Sequence, residues 1–481
     1  MRRVADTGRG PWPRRREFLR GALGALAATI IPGAEPTTAA SLGLIDDVAA
    51  RTFRYFWQTT NPANGLAPDR FPSPSAASIA AVGFALTALP IGIERGFVSR
   101  AQARQRALTT LRFLHKAPQG PTPRGMSGYK GFFYHYLDVK TGTRTGDAEL
   151  STIDTALLLM GVLLCASYFD GQEADEREIR ARADAIYARV DWRWAQPRAP
   201  SIVLGWSPEA GFLPYDWRGY CEAMLVYLLA LGSPTYPVSR EAWAVWTSTY
   251  DKSWGTYFGE RHLAFSSLFG HFYAQVWLDF REIKDSFMRA HGLDYFENTR
   301  RAVYAQRKYA VANPQRWRGY GADVWGISAC DGPVQAELDY DGQRRLFRPY
   351  WARGAAGPWP FDDGTLTPSV VVAAVAFAPE VAKRALIEQY RRYGAHIYAD
   401  YGFVDSFNPS FHYDVPLVAG RRIAGFGWAD TDYLGIDQGL ALAMLENHRS
   451  QLIWRTMRRN KHLRRGLARA GFTGGWLDGE S

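Results

Sequence analysis

The amino-acid sequence predicts an all-α protein. It is an α/α toroid, an inner ring of helices inside an outer ring, with a few short strands in the loops. Three observations lead there. From residue 42 onward about a dozen segments carry apolar residues near helical spacing. The segments follow one another in pairs, joined by aromatic and Gly-rich loops. Strand-like runs are few and short.

In chain order the predicted helices are 42–59, 76–95, 99–116, 151–169, 173–190, 217–231, 239–251, 265–285, 295–311, 368–377, 379–393, 435–447 and 449–470. Several open with Ser, Asp or Pro, residues that satisfy or tolerate the free N–H groups of a first turn. Ser151-Thr-Ile-Asp154 reads like a capping box with Asp in the place of Glu. Trp217 to Ala230 reads as the start of a helix apolar nearly all round, with Glu222 inside it. Phe132–Asp138 and Ser201–Gly205 read as short strands between helices. In such a toroid the loops at one end of the inner helices build a concave face.

Glu222 is the first candidate catalytic residue. Flanked by Tyr, Met and Leu, it would be costly to bury as an anion, so its pKa should rise. A carboxylic acid that keeps its proton near neutral pH is what a general acid requires. The plainer alternative is a negative charge in a first helical turn, favoured by the helix dipole.

Composition narrows the function. The chain has 481 residues, 47% hydrophobic and 14% aromatic, enough for a large core. Its 17 Trp and 25 Tyr supply rigid faces that pack in a core or stack on sugar rings and bases. Cys165, Cys221 and Cys330 show no metal spacing, and an odd count predicts no disulfide framework. No His-Glu-x-x-His pattern, Gly-x-Ser-x-Gly elbow or Gly-rich phosphate loop occurs, so neither a metal nor a cofactor is expected.

Residues 1–40 are expected to be a twin-arginine signal. Arg15-Arg16-Glu17-Phe18-Leu19-Arg20 precedes a small, apolar segment from Gly21 to Pro32, too short for a stop-transfer span. The expected partners are therefore the twin-arginine export machinery and a substrate outside the cytoplasm, in the periplasm or beyond the cell. No stable membrane span is expected after processing. The same segment carries seven Arg against three acids, part of the net charge of +10. Arg455–Arg465 holds much of the rest and reads as a solvated helix face, with no nucleic-acid fold signature beside it. No composition shift divides residues 41–472, which are expected to form one domain.

Several segments, taken together and in order, carry a resemblance. They are Glu149-Leu-Ser-Thr-Ile-Asp154, Gly219-Tyr-Cys-Glu222, Leu268-Phe-Gly-His271 with Trp277-Leu-Asp279-Phe-Arg281, and Tyr295-Phe-Glu-Asn298. Trp325-Gly-Ile-Ser-Ala-Cys-Asp331-Gly-Pro333, Tyr401-Gly-Phe-Val-Asp405-Ser-Phe-Asn408 and Gly435-Ile-Asp437-Gln-Gly439 with Glu446-Asn447 follow. From about residue 45 to 460 the chain resembles the bacterial glucoamylase-like group that includes glycoside hydrolase family 144, endo-β-1,2-glucanases and sophorose-releasing relatives. The resemblance implies an (α/α)6 barrel, no metal, and inverting hydrolysis of a glucan. Two stretches depart from the group's pattern, Val334-Gln-Ala-Glu337-Leu-Asp-Tyr340 and Pro409-Ser-Phe-His412-Tyr413. Both should line the cleft and so bear on linkage and on endo or exo action.

Inverting hydrolysis uses one protonated and one ionised carboxyl group on opposite faces of the sugar. Glu222 is assigned as the acid. Asp405 is assigned as the base, in a loop with enough Gly and polar neighbours to keep it ionised; the alternative is capping of the following turn. Asp154, Asp331 and Asp437 are candidate sugar ligands. Their structural alternatives are a capping box, an Asp-Gly-Pro turn and an N-cap, respectively. His271 is a candidate sugar contact or a satisfied core histidine. Trp217, Trp325 and Trp428 are candidate stacking platforms or core residues. Asp279 with Arg281 reads as a structural ion pair. Two other functions stay open: a polysaccharide lyase on the same toroid, and a glycan-binding protein without turnover.

Overall fold

The computed structural model describes residues 43–479, so the expected export signal at 1–40 lies outside the described residues. Helices alternate between two kinds. α1 (Leu44–Thr59), α3 (Arg100–Lys116), α5 (Ala174–Ala188), α7 (Glu241–Thr247), α10 (Tyr295–Ala312) and α12 (Pro379–Ile397) each bury one stripe and leave the other face in water. In α3 that stripe is Ala103, Ala107, Leu108, Leu111 and Leu114, at the three- and four-residue spacing of one helical face.

The partner that follows each is buried on every side. These are α2 (Ile79–Glu94), α4 (Thr152–Tyr168), α6 (Met224–Gly232), α8 (Phe269–Trp277), α11 (Pro368–Ala374) and α13 (Gly435–Ser450). A helix without a polar face must be enclosed by others. The six form the inner ring: α2 packs on α4 and α13, α4 on α6, and α13 on α8 and α11. A one-turn helix, α9 (Ser286–Ala290), and two C-terminal helices, α14 (Leu452–Arg458) and α15 (Lys461–Arg469), complete the α-helices among the described residues.

Because outer and inner helices alternate, all six inner helices start at the same end. Backbone hydrogen bonds tie their entry segments into a rim: Ile79 N–H to His135 O (3.1 Å), Thr152 to Leu204 (3.2 Å), Leu268 to Ile327 (3.4 Å), Leu366 to Phe407 (2.8 Å), Asp405 to Asp432 (2.9 Å) and Gly435 to Asp69 (2.8 Å). All strands among the described residues are two to five residues long and lie in these entry segments. Arg70–Phe71 pairs with Tyr433–Leu434, and Leu150–Ser151 with Gly205–Ser207.

Several predicted boundaries move. The helix expected from 217 begins at Met224, because Gly219 takes a left-handed conformation (φ 83°) and the chain turns through Cys221 to Ala223. The helix expected at 265–285 spans only Phe269–Trp277. Beyond it Asp279 turns back to bind Arg281 through both oxygens (2.8 and 2.6 Å) and also meets Arg458, the structural ion pair expected there. The stretch 449–470 is two helices: Gln451 ends α13 at φ 59°, and Asn460 caps α15 by accepting from His462 and Leu463 N–H. The Ala336–Tyr340/Gln343–Phe347 hairpin was not foreseen.

α2 and α4 pack at backbone distance. A Cβ on Gly161 would stand 2.1 Å from the Gly83 carbonyl oxygen, and one on Gly83 would stand 2.3 Å from that of Leu157. Both positions therefore require glycine. Gly161→Ala is expected to destabilise the fold by about 1–3 kcal/mol, as overpacking does, lowering the thermal midpoint by several degrees. An unchanged melt would contradict this approach of the two inner helices.

Candidate active site

Glu222 lies in the turn just before α6, not inside the helix, and is 2% exposed. Burial pushes its pKa from 4.5 up to about 7 and the charge of Asp154 adds to the rise, while its own backbone N–H and the Cys221 thiol act in the opposite direction. Its Oε2 is buried and meets no hydrogen-bond donor. The apolar setting read from the sequence thus has the expected electrostatic effect, although the local backbone differs.

Asp154 stands in the first turn of α4 and is 9% exposed. Ser151 Oγ accepts its N–H (3.2 Å) and donates to its Oδ2 (2.6 Å). The capping geometry is therefore present, but the carboxylate returns to the Ser hydroxyl rather than to the Ser backbone. Its Oδ1 lies 3.5 Å from His135 Nε2, and His135 Nδ1 is 2.8 Å from Glu149 Oε1. His135 had no signal in the sequence reading, and Glu149 entered it only as the start of a motif.

Asp405 centres a second group at the entries of α11 and α13. It is 1% exposed; its Oδ2 accepts the Asp331 N–H (2.7 Å), and its Oδ1 meets no donor. Burial raises its pKa well above the usual value, and the charges of Asp437, Asp331 and Asp430 push the same way. The polar loop neighbours do not set its environment alone: the side chain is itself buried and faces buried carboxylates, and its pKa is raised in consequence. It does not cap the following turn. Asp430, also raised by burial, holds the Thr431 N–H at 2.7 Å.

Arg70 supplies positive charge here. It bonds Asp331, stands 3.4 Å from Asp69 and reaches within 3.7 Å of Asp432. Carboxylate oxygens of Asp331, Asp430 and Asp432 lie within 4.8 Å of one another, the one cluster among the described residues compact enough for a metal ion, and the Arg70 guanidinium already approaches it. Neither Arg70 nor Asp430 and Asp432 was a candidate in the sequence reading. Asp437 is in the first turn of α13, and Leu434 holds the N-cap position, so the N-cap expectation fails; Asp437 accepts from Ser369 Oγ at 3.2 Å.

His271 is 1% exposed, with Nδ1 3.1 Å from the Tyr220 hydroxyl and Nε2 3.2 Å from the Phe265 N–H. Burial lowers its pKa to about 3. It is a neutral, satisfied histidine supporting Tyr220 beside Glu222, with no face open to a sugar. Trp325 and Trp428 are fully buried and cannot act as stacking platforms. Trp428 packs in a small separate core with Trp317, Val334, Phe347 and Phe411. Trp217 is 6% exposed, and its indole donates to Thr152 Oγ1 at 2.9 Å at the start of α4, so it packs in the core rather than presenting an open face to a sugar.

Alternating helices around a mouth of buried carboxylates define an (α/α)6 toroid of the glucoamylase-like class. The family described as "Putative glucoamylase" (Glycoamylase) matches residues 214–461, and the chain belongs to it. An exo β-1,2-glucooligosaccharide sophorohydrolase of Parabacteroides distasonis is 28% identical over 88% of this chain, which spans only 57% of that relative's length. The solved endo-β-1,2-glucanase of Chitinophaga pinensis, in complex with sophorotriose and glucose, superposes with a TM-score of 0.75 at 26% identity, covering 90% of this chain and 98% of its own. A β-1,2-glucanase of Parabacteroides distasonis gives 0.76 at 26% identity, over 89% of this chain and 60% of its own. The fold and the family resemblance expected from the sequence both hold.

The raised Glu222 pKa has a consequence for stability. The folded state holds this proton more tightly than the unfolded chain, so the contribution is full below about pH 4.5 and lost as pH rises through about 7. Over that window wild type should lose up to roughly 3 kcal/mol more stability than Glu222→Gln. Urea unfolding at a series of pH values measures it; parallel curves for the two proteins would contradict a buried, proton-holding Glu222.

Proposed function

We propose that the protein is a glycoside hydrolase that cleaves β-1,2-glucan, with Glu222 as general acid and Asp405 as general base in an inverting reaction. The observation that carries the reading is a set of buried acceptors without donors. Glu222 Oε2, Asp331 Oδ1, Asp405 Oδ1 and Asp430 Oδ2 are all buried and unpaired. Orphaned buried acceptors are costly, and a ligand dense in hydroxyl groups supplies the missing donors. The relatives' activities on β-1,2-linked glucose support the choice of sugar.

Glu222, neutral below about pH 7, delivers its proton to the glycosidic oxygen as the bond to the anomeric carbon breaks. Asp405 removes a proton from the attacking water on the opposite face. The Asp331 N–H on its Oδ2 favours its ionised form, and Arg70 beside Asp331 offsets the surrounding negative charge. A base whose pKa is raised accepts a proton more readily than an ordinary aspartate. Asp154, Asp331 and Asp437 stand at the same rim and would receive sugar hydroxyls. Arg15-Arg16 and the apolar run after them support export by the twin-arginine route to the periplasm or the medium.

Incubation with a panel of linear and cyclic glucans, with products resolved by chain length and anomer, tests the reading. β-1,2-glucan is expected to be cut to inverted products, and activity confined to another linkage would overturn it. Glu222→Gln and Asp405→Asn should each lower kcat by about 10²–10⁴-fold while glucan binding persists. Loss of binding with the fold intact would instead mark them as contact residues. The alkaline limb of kcat should fall near pH 7, as Glu222 loses its proton.

A further inference from the structure

We propose that Trp359 is a stacking platform for a glucosyl residue at the entrance to the acid site, an inference that rests on the glucan reading above. The indole is 84% exposed, the most exposed of the large hydrophobic side chains among the described residues. Its backbone is left-handed (φ 53°), a strained state for a bulky residue, and it stands between Pro358 and Pro360. An apolar ring of this size is held out in water at two costs, lost burial and backbone strain.

The loop that carries it is firmly anchored. Gly354 and Phe361 exchange backbone hydrogen bonds (2.8 and 2.9 Å), Ala355 N–H donates to Ser266 O (2.8 Å), and the Ser266 hydroxyl donates to the Pro358 carbonyl. Gly354 presses so closely on Ser266 that a Cβ there would stand 2.4 Å from the Ser266 carbonyl carbon. Beneath the loop, Phe361 lies against Trp351 (6.2 Å between ring centroids), and the Arg348 guanidinium covers Trp351 at 3.9 Å.

Ser266 places this loop relative to the chemistry. It lies three residues before α8, whose His271 supports the Tyr220 hydroxyl two residues from Glu222. Trp359 is thus mounted on the same rim as the proposed acid. The occupant follows from the surroundings. Between Gly354 and Phe361 Trp359 is the one large hydrophobic side chain that is exposed, so the loop offers a single aromatic face. One rigid aromatic face fits the C–H face of one pyranose ring; a protein interface needs a broader apolar surface.

The test compares wild type, Trp359→Ala and Trp359→Phe on β-1,2-glucans of increasing length. Tyr236→Ala serves as a control, since Tyr236 is 40% exposed beyond the C-terminal end of α6, away from the rim. Trp359→Ala should raise KM for long glucan about tenfold, with a smaller rise for the shortest substrate, while Trp359→Phe recovers most of the loss. Binding is read separately in the Glu222→Gln background, where adding β-1,2-glucan should shift tryptophan emission in a way absent from Glu222→Gln/Trp359→Phe. If wild type cleaves the glucan and Trp359→Ala matches it at every length, the platform is overturned and the hydrolase reading stands. If wild type neither binds nor cleaves any β-1,2-glucan, both fall.

Discussion

The structure depends on bringing carboxylates out of water at one end of a ring of helices. Six inner helices begin at the same rim. Around it stand Glu222, Asp154, Asp331, Asp405, Asp430, Asp432 and Asp437, each at most 9% exposed. Positive charge is scarce among them: Arg70 serves the Asp331 side, and the helix N-termini add partial positive charge at Asp154 and Asp437. Burial with too few partners disfavours a charged carboxylate, and for that reason the pKa values of Glu222 and Asp405 are both raised. The same shortage that makes the rim costly to fold raises the proton affinity of the two carboxyl groups for which the acid and base roles are proposed.

The surrounding architecture serves to hold that arrangement. Gly83 and Gly161 let α2 and α4 meet at backbone distance, and Asp154 stands in the first turn of that same α4. Arg353, fully buried, grips Asp363 through both oxygens and holds the Cys330 carbonyl at 2.7 Å, fixing the segment that delivers Asp331. The two stretches that depart from the family pattern are packed together. Phe347, beyond the first, lies against Phe411 and Tyr413 of the second, and the Tyr413 hydroxyl reaches the Asp339 carbonyl at 2.6 Å. They are two halves of one small core that begins directly after Asp331-Gly-Pro333.

The helical ring was legible because periodicity is a local signal. Outer helices such as α3 show one apolar stripe, and inner ones such as α2 and α4 show none of the polar positions water requires. Glu222 was legible for a related reason: an acid among Tyr, Met and Leu carries its desolvation in its neighbours. The upward pKa shift at Asp405 was not legible, because burial causes it together with the carboxylates of Asp331, Asp430 and Asp437, which are remote in sequence. Arg70 and His135 were missed on the same ground, since each matters through residues far along the chain. Trp325 and Trp428 were misread because a tryptophan beside a loop signal looks alike whether it faces the cleft or the core.

The central claim is that Glu222 carries a proton at neutral pH inside the folded protein. Infrared difference spectroscopy of wild type against Glu222→Gln reports that proton directly, through the C=O stretch of a protonated carboxyl group. The account predicts that this band is present at about pH 5 and bleaches with a midpoint near 7. A spectrum showing Glu222 already ionised at about pH 5 would contradict it.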